Sequence, residues 1–121
     1  HFMGYVADES IAALFARAEA AVVASIVEGF GIPALEAMHY GAPLVCSKGG
    51  ALPEVGGDCA IYVDPLDVND MKRGLAEVMC LGSRRSSIIA GIERAATFSW
   101  AKTAGRTYEA LVAASRVPVR A

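Results

Sequence analysis

The 121-residue chain carries 11 basic and 13 acidic side chains, and 55% of its residues are hydrophobic. This length and composition predict one folded domain with a substantial core, and they exclude a disordered chain. The longest apolar run, near Ala20, is far shorter than the roughly 18 residues of a membrane-spanning helix, and the N-terminus does not read as a signal peptide.

The charges are unevenly distributed. Residues 1–80 hold 4 basic and 11 acidic side chains, whereas residues 81–121 hold 7 basic and 2 acidic ones. The dispersed cations of the second part are typical of a solvated helix face, and contact with acidic lipid or with another domain is the alternative. These cations are Arg84, Arg85, Arg94, Lys102, Arg106, Arg116 and Arg120.

The three cysteines, Cys46, Cys59 and Cys80, are odd in number and show no C-x-x-C spacing. A disulfide framework or a metal site is therefore not expected, and no metal-ligating residues are assigned. Reduced thiols are typical of a cytoplasmic protein.

The first elements are a strand, a helix and a second strand. Phe2–Tyr5 reads as a strand with nothing before it, so the chain looks cut. Asp8 and Ser10 are candidate helix starters for a helix over Glu9–Ala18. Its apolar residues recur at helical spacing, which predicts a packed face of Ile11, Leu14, Phe15 and Ala18. The apolar run Ala20–Ile26 then predicts a buried parallel strand.

A glycine-containing loop follows this strand and leads into a short helix. Pro33 fits the first helical turn, and Gly41 ends a helix over about Pro33–Tyr40. Gly29 and Gly31 have no Cβ, which permits a sharp turn and close approach to a ligand. The amides around Phe30, Gly31 and Ile32 would lie at the positive end of the helix, where a phosphate binds.

Two carboxylates flank this loop. Glu28 lies at the strand end, and Glu36 lies about one turn into the helix, so both can face one crevice. A carboxylate accepts hydrogen bonds from two neighbouring hydroxyls, as in a ribose or a hexose. The arrangement fits a nucleotide diphospho-sugar; the simpler interpretation is that Glu36 complements the helix dipole and Glu28 is solvated.

The rest of the chain alternates strands and helices. Leu44–Ser47 and Ala60–Val63 are predicted strands, and the loop from Ser47 to Glu54 should lie beside the first loop. Lys48 in that loop is either a phosphate ligand or a mobile surface lysine, and Glu54 is expected to cap a short turn before Gly56 and Gly57.

Three helices complete the prediction. They run from Asp67 or Asn69 to about Cys80, packed through Met71, Leu75, Val78 and Met79, then over about Ser83–Thr97, and from an N-cap at Ser99 to about Ser115. This order predicts an α/β fold, half of a doubly wound parallel sheet with flanking helices.

The run from Glu28 to Gly41, EGFGIPALEAMHYG, resembles the E-x7-E signature of retaining glycosyltransferases of the two-domain GT-B type, and in particular glycosyltransferase family 4. The order and spacing of further segments extend the resemblance over nearly the whole chain. These segments are Ala42–Ser47, Gly49–Asp58, Ala60–Pro65 and Phe98–Trp100.

The resemblance implies a role for each site residue. Glu28 would lie against the donor sugar as the catalytic or transition-state-stabilising residue, and Glu36 would hold the ribose hydroxyls of the donor. Donor sugar and diphosphate would contact the main chain of Gly29, Phe30, Gly31 and Ile32. The implied reaction transfers a hexose from a nucleotide diphospho-sugar to an acceptor hydroxyl with retention, with neither a metal nor another cofactor.

The resemblance also implies that the chain is the Rossmann-like C-terminal donor domain in partial form, residues 1–121, without the N-terminal acceptor domain. The chain alone is then expected to be inactive. The Leu52-Pro-Glu-Val segment and Gly57-Asp resemble mannosyl- and related hexosyltransferases of polysaccharide synthesis, which favours GDP-mannose. Expected partners are the nucleotide sugar, the acceptor domain and a peripheral membrane contact of the parent at the inner face of the membrane, with no nucleic acid. The alternatives are a non-catalytic nucleotide- or sugar-binding module and a GT-B-fold nucleotide-sugar epimerase, although epimerases lack the E-x7-E pattern.

Overall fold

The computed structural model describes residues 1–115, and the side chains of all of these except residues 81–84. One parallel sheet is formed by β1 (Ala21–Val23), β2 (Leu44–Ser47) and β3 (Ala60–Val63), in the order β1-β2-β3. The helices are α1 (Asp8–Arg17), α2 (Ile32–His39), α3 (Leu52–Gly56), α4 (Val68–Val78), α5 (Leu81–Ala96) and α6 (Trp100–Ser115), and Gly57–Cys59 forms a 3-10 turn. The predicted α/β class with a parallel sheet and flanking helices is confirmed.

The central strand β2 is buried along its whole length. Leu44 and Cys46 face α2, where they pack with Met38, and Val45 on the opposite face packs with Val63 and Val78. A strand covered on both faces is expected to be almost continuously apolar, and Ser47 at the carboxyl end is the one polar residue of β2. Burial raises the pKa of the Cys46 thiol to about 11.

The connection from α2 to β2 forms as the sequence predicts. Gly41 adopts a left-handed conformation with φ of 81°, and the amide of Ala42 donates to the carbonyl of Ala37 at 2.8 Å. This hydrogen bond satisfies a helix-end carbonyl and turns the chain back into the sheet. As a result β1 and β2 lie side by side with their carboxyl ends at the same edge.

The helix α4 begins as predicted, because Asp67 Oδ1 accepts hydrogen bonds from the amides of Asn69 and Asp70 at 2.8 and 3.3 Å. Its predicted packing face is partly wrong. Val78 is buried, but Leu75 and Met79 are exposed and Gly74 faces the sheet instead. A Cβ on Gly74 would overlap Val63, so the helix lies too close to the sheet for a larger side chain there.

The predicted N-terminal strand Phe2–Tyr5 is wrong. These residues form no strand, and the side chains of Phe2 and Tyr5 are fully exposed. A strand needs a hydrogen-bonded neighbour, and the described residues 1–115 provide none for this segment.

The first helix also differs from its prediction in detail. Ala7 occupies the N-cap without a side-chain hydrogen bond, so neither Asp8 nor Ser10 caps the helix. On its predicted apolar face, Leu14 is half exposed, while Phe15 packs against the core.

The second predicted strand, Ala20–Ile26, is shorter than expected. Only Ala21–Val23 pairs with β2. Beyond this point the carbonyl of Ser25 accepts from a side chain, the Ser47 hydroxyl, so the chain leaves the ladder and enters the loop. None of the helices within residues 1–115 has the length and hydropathy needed to cross a membrane.

Candidate functional site

Two loops meet at the carboxyl edge of the sheet, one after β1 (residues 24–31) and one after β2 (residues 48–51). The amide of Ala51 donates to the carbonyl of Glu28 at 3.0 Å. The hydroxyl of Ser47, a completely buried polar side chain, donates to the carbonyl of Ser25 and accepts from the amide of Gly49 at 3.3 Å. As predicted, the second loop lies beside the first. This edge is where open parallel sheets bind ligands.

Gly49 and Gly50 make this contact possible, which the sequence analysis did not foresee. A Cβ on Gly49 would overlap the carbonyl oxygen of Ile26, and a Cβ on Gly50 would overlap the main chain of Glu28. Gly50 also has a positive φ of 60°. The signal was the glycine pair one residue after a predicted strand, because such a pair is typical of close contact between two main-chain segments.

Gly31 provides the sharp turn into α2. It is buried, has φ of 95° and occupies the N-cap, where its carbonyl accepts from the amides of Ala34 and Leu35. A Cβ there would come within 2.8 Å of Leu52 Cδ2. Gly29 differs, because its φ is not positive and a Cβ on it would meet nothing within 4 Å. The fold therefore requires glycine at position 31 and not at position 29.

Three successive amides at this turn are unpaired. The amides of Phe30, Gly31 and Ile32 donate no hydrogen bond within the part of the chain that the structure describes. They precede the first turn of α2, where the helix dipole adds a partial positive charge. An oxyanion is the ligand that such a group of donors binds most strongly.

Glu28 is held in the contact between the two loops. Its Oε2 accepts from the hydroxyl of Ser25 at 3.0 Å, and its side chain is half-buried. Its Cγ lies 3.6 Å from the position that a Cβ on Gly31 would occupy. This carboxylate is therefore held beside the glycine turn.

Glu36 lies on the exposed side of α2, in the wall of a mostly apolar cavity of about 420 Å³. Ile32, Leu35 and Trp100 contribute to the same wall. Glu28 does not line this cavity, nor the cavities beside Lys48 and Arg94 that are described below. No hydrogen bond joins the side chains of the two glutamates. The structure places Glu28 at the loop contact and Glu36 on the adjoining helix.

The side chain of Phe30 connects this loop with the C-terminal helices. Its ring meets that of Phe98 edge to face, at 6.1 Å between centroids and 88° between planes, and the Arg94 guanidinium lies 5.1 Å from the Phe98 ring centroid. Contacts of both kinds are favourable. The sequence predicted a role for the main chain of Phe30 and gave no sign of this packing of its ring.

Lys48 lies in the wall of a cavity of about 300 Å³, together with Asp64 and Asp70. Hydrogen bonds from the Arg73 guanidinium and from the amide of Asp64, both 2.7 Å long, hold the pKa of Asp70 below its usual value. Lys48 is exposed and forms no hydrogen bond or ion pair with a described residue.

The basic C-terminal part is not a uniform solvated face. Arg94 is half-buried, with Nε donating to the carbonyl of Val55 at 3.1 Å and Nη2 donating to the carbonyl of Glu54. It thereby joins α5 to the end of α3, a short helix that the sequence did not predict. Glu54 caps no turn; its side chain lines a cavity beside Arg94. Arg116, Arg120 and the side chain of Arg84 lie outside the described residues.

Comparisons with known proteins identify the family. The family model described as glycosyl transferases group 1 matches residues 1–94. The O-antigen chain mannosyltransferase B of Escherichia coli is 40% identical over 110 residues, which are 90% of this chain and 29% of that protein. The MMP alpha-(1->4)-mannosyltransferase of Mycolicibacterium hassiacum is 39% identical, over 93% of this chain and 29% of that protein.

A solved structure agrees with these relatives. The sucrose-phosphate synthase of Thermosynechococcus elongatus superimposes with a TM-score of 0.82 at 30% identity, covering 94% of this chain and 30% of that one. The chain thus spans less than a third of the length of these relatives. Because the family model matches well over half of its residues, this chain belongs to the glycosyl transferases group 1 family, with the Rossmann-like fold of the GT-B enzymes.

Proposed function

We propose that this chain is the donor-binding part of a retaining glycosyltransferase, which moves a hexose from a nucleotide diphospho-sugar to an acceptor hydroxyl in polysaccharide or glycoconjugate synthesis. The observation that carries the proposal is the turn at Gly31 in a chain of this family. There, unpaired amides at a helix N-terminus lie beside a carboxylate that a serine holds in position.

The amides of Phe30, Gly31 and Ile32 are suited to the diphosphate of the donor. Negative charge develops on this leaving group as the glycosidic bond breaks, and preorganised donors stabilise that charge in the transition state. A diphosphate leaves without a strong acid, so the two glutamates need not act as a glycosidase pair. The proposed reaction therefore requires neither a metal ion nor another cofactor.

Glu28 and Glu36 have separate roles in this proposal. Glu28 lies against the hexose and stabilises the positive charge that develops at its anomeric carbon. Glu36 accepts hydrogen bonds from the ribose hydroxyls. Gly29 supports close approach of the donor, because its Cα borders open space and the fold itself does not require a glycine there.

The donor is proposed to carry mannose, with GDP-mannose favoured over UDP-hexoses. Two similar relatives are named as mannosyltransferases, one of them acting on an O-antigen chain. A third, at 33% identity, is named as the glycogen synthase of Mycobacterium tuberculosis. The class of hexose is therefore better supported than the identity of the base.

The acceptor is proposed to bind a separate N-terminal domain of a longer parent protein. The coverage of the relatives supports this division, because this chain spans 29% of the O-antigen chain mannosyltransferase B. The parent is proposed to act in the cytoplasm, at the inner face of the membrane. Cys46 and Cys59 form no disulfide, which agrees with a reducing compartment.

The proposed division predicts that residues 1–121 alone do not transfer sugar, because the acceptor domain is missing. The parent is expected to form a product with the anomeric configuration of its donor. Incubating each with GDP-mannose, UDP-glucose and a polysaccharide acceptor, and reading the product by NMR, tests both expectations. Turnover by residues 1–121 would contradict the division, and an inverted product would contradict the proposed reaction.

A further inference from the structure

The cavity beside Arg94 has a volume of about 450 Å³ and lies between α3, the end of α5 and the start of α6. It adjoins the Glu36 cavity and shares Phe30, Phe98, Ser99 and Thr103 with it, but neither Glu28 nor Glu36 lines it. Most of its polar lining can donate hydrogen bonds. These residues are Arg94, Ser99, Lys102 and Arg106, together with Thr97 and Thr103, whose hydroxyls already donate to the carbonyls of Arg94 and Ser99.

One of the three cations is a fixed part of the wall. The Arg94 guanidinium donates to the carbonyls of Val55 and Glu54 and lies over the ring of Phe98. Its positive charge remains uncompensated, because carbonyl oxygens carry no net charge. It therefore contributes a positive potential to the cavity without being free to move.

The other two cations have unused donors. Lys102 Nζ donates to the carbonyl of Thr97 at 3.0 Å, which leaves two of its three protons. Arg106 donates to no residue that the structure describes, so its five N–H groups are unused. The two residues are four apart in α6, which places their side chains on the same face of that helix.

The charge of the lining is positive. Glu54 is the one acidic residue in the wall, and it forms no ion pair with any of the three cations. The cavity also contains the N-terminus of α6, where the helix dipole favours an anion. Three cations against one carboxylate leave an excess of two positive charges, which matches a phosphate dianion.

We propose that this cavity binds the phosphate group of a phosphorylated ligand through Lys102 and Arg106, beside the fixed charge of Arg94. The phosphate is a monoester, either on a soluble phosphorylated molecule or at the end of a lipid headgroup, since both present the same dianion. The site adjoins the Glu36 cavity but contains neither glutamate, and the proposal does not depend on the donor assignment.

The test compares three forms of the 121-residue chain: wild type, the double variant K102Q/R106Q and the control variant K72Q. Both cations of the site are on an exposed helix, so the double variant should keep the melting temperature of the wild type. Lys72 is an exposed cation of α4 that lines none of the three cavities. The probes are inorganic phosphate, followed by NMR titration, and vesicles of phosphatidic acid in phosphatidylcholine, followed by flotation.

Loss of two charge-assisted contacts should weaken binding of phosphate, or of the vesicles, about tenfold or more in the double variant, while K72Q remains within about twofold of wild type. If the chain binds inorganic phosphate but does not bind the vesicles, the ligand is assigned as a soluble phosphorylated molecule. Vesicle binding that the double variant loses and K72Q keeps assigns a lipid headgroup, because K72Q removes a positive charge outside the cavity. Equal binding by wild type and the double variant, or no binding of either probe, would overturn the proposal.

Discussion

Replacing Glu28 by glutamine in the proposed parent glycosyltransferase is expected to lower kcat by about 10²- to 10³-fold. Glutamine preserves the size of the side chain and can still accept from the hydroxyl of Ser25, which lies 3.0 Å from Glu28 Oε2. The variant loses only the negative charge beside the reacting sugar. KM for the donor should change much less than kcat, because the charge matters most when the anomeric carbon becomes positive.

The matched control for this variant is Glu9→Gln. Glu9 is an exposed acidic residue in the first turn of α1 and lines none of the three cavities. The kcat of the Glu9→Gln enzyme should therefore equal that of the wild type. Steady-state kinetics with a nucleotide diphospho-sugar provide the measurement. A Glu28→Gln enzyme with a kcat close to that of the wild type would show that the Glu28 carboxylate takes no part in the reaction.

Replacing Gly50 by alanine is expected to lower the free energy of unfolding by about 3 kcal/mol, from left-handed strain and overpacking together. The added Cβ overlaps the main chain of Glu28, which cannot move aside as a flexible side chain would. Because Ala51 hydrogen-bonds to the same carbonyl of Glu28, the variant should also separate the two loops of the site. Urea unfolding followed by circular dichroism measures the change.

Gly29→Ala is the control, since Gly29 lies in the same site but a Cβ there meets no atom within 4 Å. Its stability should remain within about 0.5 kcal/mol of the wild type. If Gly50→Ala and Gly29→Ala unfold at the same urea concentration, the close contact between the two loops does not exist in solution.

Local patterns in the sequence were sufficient for much of the fold. The apolar strand Leu44–Ser47, the helix end at Gly41 and the N-cap at Asp67 all form where they were predicted. Each depends on residues close together in the chain. The order of the elements then led to the parallel sheet, because a strand followed by a helix and a parallel strand has one favoured hand.

Features that depend on contacts between distant segments were not predicted. The strand Ala20–Ile26 was expected to be longer, because its apolar run does not reveal that the carbonyl of Ser25 pairs with the Ser47 hydroxyl. The exposure of Leu75 follows from the close approach of α4 at Gly74. Arg94 could not be distinguished from solvated arginines, because its partners lie about forty positions earlier in the chain.

The candidate site was predicted in outline from one segment. The loop between Glu28 and Glu36 and its neighbour after β2 lie where the strand order requires them. The role of Gly49 and Gly50, and the packing of Phe30 on Phe98, required the structure because they join separate segments. The roles of the two glutamates toward a donor remain predictions.

The most direct test of the proposed donor site is a calorimetric titration of the parent protein with a panel of nucleotide diphospho-sugars, comparing the wild type with Glu36→Ala. Loss of charge-assisted hydrogen bonds to the ribose should weaken binding by about 1.5 to 3 kcal/mol, or roughly tenfold to a hundredfold. Unchanged affinity for every nucleotide sugar that the wild type binds would show that Glu36 does not hold the donor, and would contradict the account of this site.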